Sequence, residues 1–253
     1  MPSRASDLTR STLASTLRAW RGTHILRRAK KPSQLLEIYD CEADPECRLL
    51  REVVTELDLD VLIKPCPEGG TRYRRDIDEA RLPVLVDPNT DSRHEGLRAS
   101  LDHLLGTYAE RSWLSLLLGR WPAKLSSHLA SLARGDAGRC ARTSRPAGKP
   151  LELYSFESSP FSRLVRERLC ELELSYVLRS LGKQQLADYG PANARLHVGP
   201  YRPVAGSRRE QLLQHVGKVQ VPYLIDPNTG ESLFESAKIL AYLERTYAVL
   251  PLT

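Results

Sequence analysis

Ser159 and Pro160 stand side by side just before an apolar-periodic stretch, and Asp44 and Pro45 stand the same way earlier in the chain. A small polar side chain followed by proline suits the N-cap and first position of a helix, where unpaired amide N–H groups and the positive dipole end favour negative charge. Glu235 and Ser236 mark a second such place, a hydroxyl to accept from helix amides beside a carboxylate suited to a first turn. Five cysteines, Cys41, Cys47, Cys66, Cys140 and Cys170, fall at irregular spacing with no CxxC pair and no histidine cluster. That excludes the common zinc patterns and fits reduced thiols in a cytosolic compartment. Cys47 follows Asp44 where a redox pair would need a first cysteine, so it reads as a small buried apolar residue. His215 has no evident partner and is expected at the surface.

The elements that position these residues occur twice. Leu36 to Leu59 and Leu151 to Leu174 agree at 12 of 24 positions at a constant offset of 115. LPVLVDPNT (Leu82 to Thr90) matches VPYLIDPNT (Val221 to Thr229) at six of nine positions at offset 139, so the second copy carries 24 extra residues between the two blocks. This is a duplicated unit. Each copy predicts a strand ending near Cys41 or Phe156, a proline-initiated helix, a second strand, a proline-containing strand with its DPNT turn, and a final amphipathic helix. In the second copy Phe161, Leu164, Val165, Leu169 and Leu172 share one helical face, and Ile239, Leu240 and Leu243 face inward on the last helix. The extra residues bring Tyr189, Tyr201, Arg195, Arg202, Arg208 and Arg209 around Pro191, Pro200 and Pro203, either a lid with an anion-contacting edge or a solvated insertion.

The chain of 253 residues, with 41% hydrophobic and 27% charged residues, is globular and long enough for two domains. No apolar run approaches the roughly 18 residues of a spanning helix, so no transmembrane segment is expected. Residues 1–33 carry a net charge of +7 and the remainder −1. They are expected to form a basic, solvated N-terminal arm, and without an aromatic-rich basic surface no specific nucleic-acid partner is expected. Residues 111–149 comprise a helical connector, carrying Trp113, Leu114, Leu116, Leu117, Leu118, Trp121, Leu125, Leu129 and Leu132 and restarted at Pro122, then a polar linker. The connector's apolar residues are expected to pack on the two flanking units, residues 34–110 and 150–253.

Ser159-Pro160-Phe161-Ser162, Val221-Pro222 and Glu235-Ser236, in this order and spacing, resemble the N-terminal, thioredoxin-like domain of glutathione transferases. The whole resembles an α/β tandem of two such domains joined by a helical connector. The resemblance implies glutathione, or a glutathionylated small molecule or peptide, as ligand. Ser159 would donate to the ligand sulfur and activate it for thiol transfer or conjugation. A cis Val221-Pro222 bond would turn the main chain of Val221 toward the cysteinyl part, and Glu235 and Ser236 would hold the γ-glutamyl end. Copy one departs from the pattern, with Asp44 at the serine position and Gly96-Leu97 at the Glu-Ser position, which casts it as a structural partner and puts the site in copy two. The rival reading is a non-catalytic, protein-binding scaffold.

Overall fold

The computed structural model describes residues 4–26, 29–78, 80–109, 120–190 and 199–249. Arg27, Arg28, the apolar run Trp113 to Leu118, Pro191 and Arg195 lie outside the described residues. Helix α1 (Arg4–Leu17) is followed by β1 (Leu36–Asp40), α2 (Pro45–Glu56), β2 (Val61–Pro65), β3 (Val84–Asp87), β4 (Ser92–Glu95) and α3 (Gly96–Thr107). After α4 (Arg120–Arg134) come β5 (Leu151–Ser155), α5 (Pro160–Glu171), β6 (Tyr176–Ser180), α6 (Arg208–Val216), β7 (Tyr223–Asp226), β8 (Glu231–Phe234) and α7 (Ser236–Tyr247).

Local chemistry sets these boundaries. Asp44 accepts from the amides of Glu46 and Cys47, both at 2.8 Å, and starts α2 with Pro45 at its first position. Ser159 caps α5 by accepting from the amide of Ser162 at 3.3 Å. Each DPNT turn is closed by its aspartate: Asp87 accepts from the Asn89 amide and the Tyr108 hydroxyl, and Asp226 from the Asn228 amide and the hydroxyls of Tyr242 and Tyr247. Burial opposes ionisation there, but these donors hold both carboxyl groups below their usual range.

All eight strands form one sheet in the order β4-β3-β1-β2-β6-β5-β7-β8. Within each half the first two strands are parallel and the hairpin is antiparallel to them. The halves meet where β2 and β6 pair antiparallel, with Val61 opposite Leu178, Leu62 opposite Val177 and Ile63 opposite Tyr176. At offset 115 this register is self-complementary, so a pseudo-twofold axis passes between Leu62 and Val177. One apolar core serves both halves, running from Leu36, Leu50 and Val53 through Val61 and Tyr176 to Leu153, Val165 and Leu169.

Two expectations need correction. The start of the chain is no solvated arm: α1 buries Ser11, Ala14 and Ser15, Arg18 just after it is buried too, and the helix packs against α4 and α5. The connector helix turns Leu125, Leu129 and Leu132 outward and buries Ser127, Ala130, Ser131 and Arg134. Small residues let it lie close to α1 and α2, and that close approach takes the place of an apolar seam. Phe161 is likewise exposed, since α1 meets the first turn of α5 through serine side chains, Ser11 donating to the Pro160 carbonyl at 2.9 Å.

Candidate functional site

Strand register brings the sequence-singled residues of copy two to one end of the sheet. Tyr154 near the end of β5 pairs with Tyr223 at the start of β7, and Tyr223 pairs with Phe234 at the end of β8. The turn holding Ser159, the Val221-Pro222 bond and the Glu235-Ser236 pair all adjoin these three residues. Val221-Pro222 is cis, as is Leu82-Pro83. In copy one Tyr39, Val84 and Glu95 are linked in the same way, which puts Asp44, Pro83 and Gly96 at the equivalent end.

The individual residues differ in what they offer. Val221 is half-buried and Pro222 buried. Glu235, not Ser236, is the N-terminal boundary of α7; its side chain makes no capping bond and lies 3.4 Å from Lys238, exposed to solvent. Its φ of +70° is the left-handed region, where copy one has Gly96 at φ +74°. Ser236 is the first helical residue and is buried. Ser159 is only 2% exposed, its oxygen committed to capping α5. Helix α1 closes over its neighbours: Ser15 donates to the Ser158 carbonyl at 2.7 Å, and Thr23 bonds the Ser158 hydroxyl. Cys47 is fully buried, and burial together with Asp40 and Asp44 raises its thiol pKa well above the ordinary value. His215 is exposed. Of the inserted arginines, Arg209 is buried and donates to the carbonyls of Leu181 and Gly182, and Arg208 pairs with Asp60 at 2.5 Å. Both are committed to the protein itself.

An open cleft lies in copy one, where the sequence suggested a structural partner. This cleft of about 750 Å³ is lined by Cys41, Asp44, Pro45 and Leu82, by Cys66 to Gly70 and Arg74, and on its far side by His128, Ser131 and Arg139. Asp44 and Leu82 are the counterparts of Ser159 and Val221, so this cleft is the copy-one equivalent of the place that α1 and its following turn approach in copy two.

Sequence reasoning missed the helix layer that makes this so. Ser11, Leu13, Ala14, Ser15, Arg18 and Gly22 recur at offset 116 as Ser127, Leu129, Ala130, Ser131, Arg134 and Gly138. The duplicated unit therefore begins at α1 and begins again at α4. Each leading helix packs on the opposite copy's neighbour in the same way. Ser127 and Ser131 donate to the carbonyls of Pro45 and Ala43, as Ser11 and Ser15 do to those of Pro160 and Ser158. Arg48 reaches back to Ser127 and Ser131, and Arg163 to Ser11 and Ser15. Arg18 grips Glu52 at 2.8 and 2.6 Å, and Arg134 grips Glu167 at 2.7 Å on both oxygens. Gly22 and Gly138 both have positive φ, and a Cβ on either would press on the glutamates beside it. After these glycines, His24 pairs with Lys183 as Cys140 pairs with Glu68.

Between the copies lies a buried lattice of charge. Arg51 binds Asp40 at 2.5 Å, Glu42 at 3.2 Å and Glu157 at 3.1 Å, while Arg166 binds Glu42 and Glu157 at 3.0 Å each. Burial raises Asp40 to about 6. Glu157, despite equal burial, is held at about 2 by Arg166 and Arg51. Such paired charges define how the halves dock rather than offering a reactive group. Among the described residues no cluster of metal-ligating side chains occurs, and no helix is long and apolar enough to cross a membrane.

No curated protein and no solved structure gives a significant match to the chain. Residues 153–249 match the family model of the glutathione S-transferase N-terminal domain. The match runs from β5 to just past α7 and supports a glutathione S-transferase-like N-terminal domain there, within a structure of mixed α/β type.

Proposed function

We propose that the chain is a tandem of two thioredoxin-like domains of the glutathione transferase superfamily, and that its second copy binds a glutathione-type thiol peptide in a reducing, cytoplasmic compartment. The observation that carries this reading is Glu235: copy two keeps a charged side chain in a left-handed conformation that copy one gives to glycine, beside a buried serine at the head of α7. Non-glycine residues in that region are strained and cluster at ligand sites. The exposed carboxylate would receive the ligand's ammonium, the α7 terminus its carboxylate, and the main chain of Val221 its central peptide. Ser159 caps α5 in this reading and does not activate the thiol.

A second reading, a non-catalytic scaffold that recognises protein, is favoured by the capping roles of both Asp44 and Ser159. Calorimetric titration of glutathione into the full chain separates the two. Ser236→Ala should weaken binding by about 1 kcal/mol, the scale of one hydrogen bond to a charged group. Ser159→Ala should leave affinity unchanged and lower Tm. Absence of heat and of any thermal shift at millimolar glutathione would leave the scaffold reading standing.

A further inference from the structure

Four of the five thiols gather beside the copy-one cleft: Cys41 and Cys66 line it, and Cys47 and Cys170, the latter from copy two, lie buried next to Cys41. Cys41 follows the last residue of β1, and Cys66 follows the last residue of β2; Asp40 and Pro65 pair in the β1–β2 ladder, and both cysteines line the cleft. The Cys41 amide donates to the Cys47 sulfur at 3.5 Å. Cys170, from α5 of the other copy, packs against Cys41 and Ala43, and its sulfur accepts from the Glu42 amide at 3.4 Å. The Cys170 thiol also donates to Cys41, a bond that together with burial holds its proton on. Cys66 points its thiol to the Lys64 carbonyl at 3.6 Å, and burial pushes it up to about 12.

We propose that Cys41 is a thiol–disulfide exchange site for small disulfides admitted by the cleft, and that Cys170 is its resolving thiol, so that oxidation joins the two copies covalently. The cleft supplies access to Cys41, which keeps 7% of its surface exposed there; Arg74, Arg81 and Arg139 stand on its wall against Asp44, Glu46 and Glu68, so a small disulfide such as glutathione disulfide is admitted by size rather than by charge. In the first step the Cys41 sulfur attacks one sulfur of the disulfide, forming a mixed disulfide, and the departing thiolate takes up the Cys41 proton. In the second the Cys170 sulfur attacks Cys41, expelling the other half as a second thiol that carries away the Cys170 proton. Two electrons pass from the protein to the disulfide, which leaves as two thiols. The Glu42 amide already points at the Cys170 sulfur and stabilises it as its proton leaves. Cys47 is a poorer resolver, because Asp44 as well as Asp40 opposes its thiolate.

The site is independent of the Glu235–Ser236 pair, so the test is run with Cys140→Ser, which removes the exposed thiol, and repeated with Ser236→Ala added. Reduced protein is incubated with glutathione disulfide at mildly alkaline pH and read by intact mass and peptide mapping. The expected product has lost two hydrogens and yields a joined Cys41 and Cys170 peptide pair in both backgrounds. Cys170→Ser should instead stop at one glutathionyl group on Cys41. Protein that stays fully reduced, or that joins Cys41 to Cys47 or Cys66, overturns the proposal, as does a Cys170→Ser protein whose adduct sits elsewhere. Loss of exchange on Ser236→Ala alone would also overturn it, by placing the disulfide in copy two.

Discussion

Glu235 and Asp40 each break the internal symmetry, and each does so at a measurable expense. Glu235 holds φ +70° where its counterpart is Gly96. Replacing it with glycine should raise stability by about 0.5–1 kcal/mol through relief of the left-handed strain, while glutathione affinity falls. A denaturant midpoint and a titration on the same variant check both. Asp40 stands where copy two has Ser155, inside the buried charge lattice. Its pKa is raised from 3.8 to about 6, so the unfolded chain loses this proton first as pH climbs. Its contribution to stability is therefore full below about pH 4 and declines as pH rises toward 6. In Asp40→Asn the fall of Tm across that interval should be shallower than in the parent. Glu157 has the opposite sign: it is depressed to about 2, so its contribution is present above its unfolded value and is lost as pH falls through 2. Glu157→Gln leaves Arg51 and Arg166 short of a buried partner and should destabilise by about 3–5 kcal/mol in urea unfolding.

The helices divide sharply in how well the sequence announced them. α2 and α5 carry capping residues, proline at the first position and apolar residues at three-and-four spacing, and both form where expected. α1 was hidden because its buried face is Ser11, Ala14 and Ser15, followed by buried Arg18, which gives no hydrophobic periodicity. α4 misled for the complementary reason: its leucines are on the outside and its serines within. The signal was present in the recurrence at offset 116, carried by small residues and one arginine without the strand and hairpin motifs that mark the rest of the unit. The same helix explains why Ser159 was legible as a helix cap and not as to its surroundings, since nothing adjacent in sequence foretells that Ser11, Ser15 and Thr23 close over Ser158 to Pro160. Arg18→Ala should destabilise by about 3–5 kcal/mol, because Glu52 would remain buried without its bidentate partner. Thermal unfolding measures this, and Arg134→Ala should match it through Glu167.

At the level of the whole molecule, duplication was readable and fusion was not. The conserved spacing of strand, proline and DPNT turn gave the elements of each half, whereas the antiparallel seam between β2 and β6 depends on both edges being free, which no local pattern records. Because one core and one sheet span the seam, calorimetry should give a single unfolding transition whose van't Hoff and calorimetric enthalpies agree. Two resolved transitions would contradict a shared core. Residues on the seam should act on both halves at once. Tyr176→Ala, opposite Ile63 and nearly inaccessible, should lower the single midpoint by removing about 3–5 kcal/mol without splitting it.

The crossed placement of the leading helices also governs the order of events on the ribosome. α1 emerges more than a hundred residues before the surface it seals, Ser158 to Pro160; the first copy in turn waits for α4 before Pro45 is covered. A polypeptide cut between the copies would leave Arg18 facing Glu52 with no α5 beneath it and would present the β2 edge to any passing strand. Maturation of the nascent chain is thus deferred until the second copy has emerged, and fragments cut between the copies are expected to stick to one another rather than serve as miniature versions of the protein.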